Sequence, residues 1–149
     1  MSKLSHLDES GRARMVDVSG KEATVRTATA VGTLTCRPET LEQVRAGTTP
    51  KGAVIQTAEL AGVMAAKRTA ELIPLCHPLP LTKIEVRIDI DDSLPGFRIR
   101  AEARTKAETG VEIEALTAVS VAGLTLFDML KALDRTMVIG GIAVESKTK

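Results

Sequence analysis

The chain has 149 residues, with 20 lysines and arginines against 19 aspartates and glutamates; it is long enough for one domain with a real core, and its balanced charge draws it to neither nucleic acid nor membrane. Two phenylalanines stand with no tyrosine or tryptophan, which disfavours an RNA-binding or single-strand platform, because such surfaces stack bases on aromatic rings. Cys36 and Cys76 are too few for a disulfide scaffold, match no zinc spacing, and suit a reducing, cytoplasmic setting.

Residues 1 to about 20 are polar and aperiodic, lack the apolar core of a signal peptide, and read as a mobile arm in which His6 is inert. A single domain is expected over residues 21–149. Val25 to Cys36, rich in Thr, Val and Ala, has the composition of a strand. Pro38 at a first helical position and Gly47 just past the end bracket a short helix, Pro38 to Ala46. A second helix is expected from Ala53 to Arg68, where Val54, Ile55, Ala58, Ala61 and Ala65 recur near helical spacing and Gly62 weakens the pattern. Beyond the basic pair Lys67-Arg68, Pro74 and Pro78 bracket His77. Proline drives the residue before it out of the helical region, so Ile73 and His77 should be extended and the loop stiff. A stiff loop holding a histidine beside a basic helix end suits an anionic ligand with proton transfer nearby. It equally suits an ordinary helix end followed by a proline turn.

Ile84 to Ile90 and Phe97 to Ala103 alternate strictly on either side of a turn containing Asp91, Pro95 and Gly96, the pattern of a β-hairpin with one buried and one charged face. A long helix follows from about Val111 to Leu133, then a last strand from Met137 to Val144, and no run of 18 apolar residues predicts a membrane span. This order predicts an α+β, ferredoxin-like (split βαβ) antiparallel sheet with helices packed on one face and an extra short helix.

The long helix is apolar nearly all round, so burial on every face, and hence a subunit interface along it, is expected. Yet it carries Glu112, Glu114, Asp128 and Lys131. Each has a bland explanation. Glu112 could close a capping box with Thr109, Glu114 could favour the helix dipole from solvent, and Asp128–Lys131 could be a surface ion pair. Taken together they read as functional, because Asp128 and Lys131 lie among Phe127, Met129, Leu130 and Leu133, where charge is costly unless paired. Glu114 and Asp128 are fourteen residues apart, only about 40° in direction but about 21 Å along the axis. One helix cannot bring both to one small substrate, whereas a second copy of the helix can, giving a composite site.

Lys51-Gly52, the run from Ala65 to Thr69, the run from Leu72 to Pro78, Thr109-Gly110-Val111-Glu112 with Glu114 to Ala118, Asp128-Met129 with Lys131-Ala132, and the opening Arg14 to Val18 together resemble the cyclic pyranopterin monophosphate synthases, the molybdenum cofactor biosynthesis protein C family. The resemblance covers about residues 10 to 147. It implies a ferredoxin-like protomer in a homohexamer built as a trimer of dimers. It also implies a lyase that rearranges 3′,8-cyclo-7,8-dihydroguanosine 5′-triphosphate to cyclic pyranopterin monophosphate with loss of pyrophosphate. On this basis Asp128 and Lys131 are the acid/base pair, with Lys51 and His77 also catalytic. Lys51, Lys67 and Arg26 hold the triphosphate, and Leu75, Cys76 and His77 frame the substrate, with His77 bonding phosphate or relaying protons. Ile113 also binds substrate, and Glu112 and Glu114 carry acceptors for the guanine-derived N–H groups, either of them meeting the base. Ile113 replaces a family methionine, and Glu145 to Lys149, where Lys147 matches a family lysine in a mobile end, depart from the glycine- and lysine-rich family tail. No redox cofactor and no protein-held metal are expected, magnesium entering with the triphosphate. The alternative to an enzyme is a non-catalytic nucleotide-sensing or scaffold oligomer of the same fold.

Overall fold

A computed structural model describes residues 7–20 and 22–149; His6 and its expected inertness lie outside the described residues. The elements are β1 (Thr24–Thr35), α1 (Pro38–Ala46), α2 (Val54–Lys67), α3 (Thr69–Leu72), β2 (Leu81–Asp91), β3 (Gly96–Ala107), α4 (Glu112–Leu130) and β4 (Val138–Thr148). The strands lie in the order β2-β3-β1-β4, and every neighbouring pair is antiparallel. β1 and β2 therefore run parallel with β3 between them, which is the split βαβ arrangement of the ferredoxin-like plan.

Local chemistry explains most of the element ends. α1 starts on Pro38 and stops where Gly47 turns left-handed at φ 69°. α2 ends at Lys67, and the buried Thr69 then starts α3, which the sequence did not announce; its hydroxyl donates to the Ala66 carbonyl at 2.9 Å. Beyond it Ile73 is extended, at φ −110° and ψ 108°, as the following proline requires. β3 alternates as expected: Phe97, Ile99, Ala101 and Ala103 are buried, while Arg98, Arg100 and Arg104 are exposed. Both hairpin strands run longer than expected, and β4 extends past Val144 through Glu145–Thr148, because backbone pairing with β1 (Ala28 opposite Lys147) needs no apolar signal. The matched lysine thus sits in a strand.

α4 lies across β1 and β3, burying Ala115, Ala118, Ala122, Leu126 and Leu130 against Ala30, Leu34, Phe97 and Ile99. By length and composition it could cross a bilayer, yet here it is the core helix. It is not covered on every face in the protomer: Leu124 is 59% exposed and Ile113 39%, and on neighbouring α2 Leu60 is 59% exposed. α4 stops at Leu130 rather than Leu133, where the chain turns. That turn is tied down by Asp134, which is 1% exposed. Its carboxylate accepts from the Arg37 amide at 2.9 Å, the Thr40 hydroxyl at 2.8 Å, and the Thr136 amide and hydroxyl at 2.8 and 2.6 Å. Burial pushes its pKa up, but these donors outweigh burial and hold it well below the usual carboxylate range.

Candidate active site

Two groups of charged side chains form, one at each end of α4. At its C-terminal end Lys131 Nζ lies 2.9 Å from Asp128 Oδ1, and Lys51 Nζ, from the loop before α2, lies 3.2 Å from Asp128 Oδ2. Lys51 also donates to the Asp128 carbonyl at 3.3 Å. The expected burial of the Asp128–Lys131 pair does not occur in the protomer, where their side chains are 56% and 57% exposed. Neighbours in sequence are not neighbours in space on a helix: Met129 and Leu130 point about 100° and 200° round from Asp128, into the core. Exposed pairs of this kind contribute little to folding because water and salt screen them, so stability does not account for two ammonium groups converging on one carboxylate. The hydrogen bonds from Lys131 and then Lys51 lower the Asp128 pKa, keeping it an ionised acceptor between two cations.

At the N-terminal end of α4 the geometry is different. Glu112 forms no capping box with Thr109, since Val111 precedes the helix and no side chain caps it. Its carboxylate lies 3.7 Å from Lys147 Nζ on β4. Glu114 does not face solvent either: it is 3% exposed, and its Oε1 has no hydrogen-bond partner among the described residues. Its Oε2 accepts the weak thiol donor of Cys76, at 3.8 Å. Burial raises the Glu114 pKa, the hydrogen bonds from its own amide and Cys76 pull it back, and the Glu112 charge raises it further. Burial first, then Glu114, pushes the Cys76 thiol up to about 11, so it stays protonated at neutral pH.

Glu112 and Cys76 border a cavity of about 700 Å³, with Glu114 buried behind Cys76. The stiff loop contributes Leu75, Cys76 and His77, and the entry to α4 contributes Gly110, Glu112 and Ile113. The third wall, Val16 and Val18, comes from the N-terminal segment. Sequence reasoning placed these two in the Arg14 to Val18 segment of the family resemblance but assigned them no part in the site. His77 Nε2 meets the Val16 carbonyl oxygen at 2.5 Å. Arg26 borders a smaller cavity of about 320 Å³ that shares Gly110 and Glu112 with the first and adds Lys147. It is held there by donating to the Ala107 and Glu108 carbonyls at 3.2 and 3.4 Å. Lys67 lines a third hollow that shares Leu79 with the large cavity.

The structure therefore gathers Leu75, Cys76, His77, Glu112, Ile113, Glu114 and Arg26 around one end of α4, with Lys67 at its margin. Lys51, Asp128 and Lys131 gather at the other end, fourteen residues or about 21 Å away along the axis. Among the described residues no group of three or more His, Cys, Asp and Glu side chains is placed to hold a metal ion.

Known proteins carry the same pattern over nearly the whole length. A cyclic pyranopterin monophosphate synthase from Nostoc sp. is 59% identical over 147 residues, covering 99% of this chain and 88% of its own. The proteins of that name from Trichodesmium erythraeum and Brucella ovis are each 58% identical, covering 97% and 98% of this chain and 87% and 88% of their own. With residues 15–149 also matching the MoaC family model, the chain belongs to the MoaC family.

Proposed function

We propose that the chain converts 3′,8-cyclo-7,8-dihydroguanosine 5′-triphosphate to cyclic pyranopterin monophosphate with release of pyrophosphate, an early step of molybdenum cofactor biosynthesis. The observation that carries this is its 59% identity, over 99% of its length, to a protein named for that product. The reaction opens a dihydroimidazole ring, closes a pterin ring and forms a cyclic phosphodiester. It needs proton transfer, positioning and stabilisation of phosphate charge.

The two clusters divide that work. Asp128, an ionised acceptor flanked by Lys131 and Lys51, moves protons and stabilises developing anions. Arg26 and Lys67, at the edges of the large cavity, hold phosphate oxygens with Lys51, and the triphosphate brings its own magnesium. Leu75, Cys76, His77 and Ile113 wall the ring-derived part, while Glu112 and Glu114 supply oxygens for its N–H groups. Because the clusters lie about 21 Å apart on one helix, the working site takes one end from each of two protomers. A homohexamer arranged as a trimer of dimers supplies that geometry, and exposed Leu60, Met64 and Leu124 are apolar surface for such contacts. The domain over residues 21–149 carries the chemistry, and a cytoplasmic location accords with two free thiols.

Turnover tests the reading. Purified protein supplied with the cyclised triphosphate should yield a pterin product and one equivalent of pyrophosphate. Assembled, folded protein that forms neither would overturn it.

A further inference from the structure

His77 is held from outside the regular elements of the fold. The Val16 carbonyl oxygen 2.5 Å from its Nε2 can only accept a hydrogen bond, so the hydrogen between them belongs to Nε2. In the neutral form an imidazole has one nitrogen-bound hydrogen, and with that hydrogen on Nε2 the Nδ1 atom keeps its lone pair. Among the described residues Nδ1 has no partner. Val16 and Val18 are half-buried in a segment otherwise exposed, and they line the same cavity as His77. Between them Asp17 fixes the chain direction by accepting from the Ser19 amide at 2.9 Å and the Ser19 hydroxyl at 2.7 Å.

We propose that residues 16–18 position the site: the Val16 carbonyl locks neutral His77 as its Nε2–H tautomer, so that Nδ1 meets an N–H or O–H of the substrate as an acceptor. This rests on the cavity being the substrate site and narrows the role of His77 within it. An ionised phosphate oxygen has no hydrogen to give, so neutral His77 addresses the ring-derived part of the substrate rather than the phosphates. An amide carbonyl is not a base, so the Nε2 side ends the chain of hydrogen bonds and the imidazole does not pass a proton through to the N-terminal segment.

His6 and His77 are the only histidines, so full-length His6→Gln protein carries a single imidazole. Its ¹⁵N–¹H spectrum, recorded without substrate in mildly alkaline buffer, should show the Nε2–H tautomer. The Val16→Gly/Val18→Gly variant, which loosens the segment, should show a mixture. An Nδ1–H imidazole in the parent, or an unaltered spectrum in the loosened variant, would overturn the proposal. Turnover supplies a second readout. The amide of His77→Asn reaches the Nδ1 position and that of His77→Gln reaches Nε2, so the KM of His77→Gln should exceed that of His77→Asn by up to about tenfold, the effect of one hydrogen bond. The reverse order would equally count against it. The tautomer is read in the free protein, so failure of turnover alone strikes the functional reading and not the Val16–His77 pairing.

Discussion

Glu114 is buried with one oxygen unpartnered, and its raised pKa means that the folded state favours its protonated form. A carboxyl whose pKa is higher folded than unfolded gives no penalty below its ordinary value near 4.5 and subtracts stability as pH rises through that value toward the folded one. Glu114→Gln should therefore raise Tm at pH 7 relative to the parent and leave it unchanged at pH 4. Turnover should fall by tenfold or more, since a group retained against stability is retained for what it binds. Thermal denaturation at the two pH values, with product formation measured beside it, decides the matter; a Tm that falls at pH 7 would make Glu114 a structural residue. At this scale the sequence was legible in residue type and misleading in environment. Asp128 and Lys131 look buried because apolar letters flank them, yet the helical rotation puts those neighbours on the core side and the charges in solvent.

Asp134 joins the turn after α4 to the start of α1, and four donors hold its carboxylate ionised. Removing it leaves the buried Thr40 hydroxyl and the part-buried Arg37 and Thr136 donors without their acceptor, so Asp134→Ala should cost about 3 kcal/mol, a fall of about 6–12 °C in Tm for a chain of this size. The pH dependence has the opposite sign to that of Glu114. The folded pKa is depressed, so the stabilisation is fully present above the ordinary value of 3.8 and is lost as pH falls through the folded value. Below pH 3.8 the parent should lose Tm more steeply than Asp134→Asn; parallel curves would refute the carboxylate's role. Elements with a local chemical signature were readable: α1 from its proline and glycine, the hairpin from strict alternation, α4 from its apolar run. α3 and the polar end of β4 were not, since one is a single turn and the other is held by backbone pairing and not by side chains.

The whole molecule presents two charged clusters at opposite ends of one helix and apolar residues left uncovered between elements. An inactive Asp128→Asn chain co-assembled with an inactive Glu114→Gln chain should regain a substantial fraction of activity, because some interfaces then pair an intact lysine–aspartate end with an intact glutamate end. Sedimentation of the same samples should show an obligate oligomer; a stable, folded monomer at micromolar concentration, or no recovery in verified mixed oligomers, would remove the shared site. The ferredoxin-like plan followed from element order alone. The contribution of Val16 and Val18 to the cavity wall did not, because contacts between an aperiodic segment and a distant loop leave no periodic trace. α2 and α4 pack tightly at Gly62, where an added Cβ would stand 2.9 Å from the Ala118 carbonyl oxygen and 3.1 Å from a Val86 methyl. Glycine weakens a helix by about 1 kcal/mol relative to alanine, yet even one methyl here would wedge the pair apart. Lys51 rides ahead of α2 and Asp128 near the end of α4, so the clearance at Gly62 works as a gauge block. The locally weakest link in α2 calibrates, some distance away, how near an ammonium is allowed to come to its carboxylate.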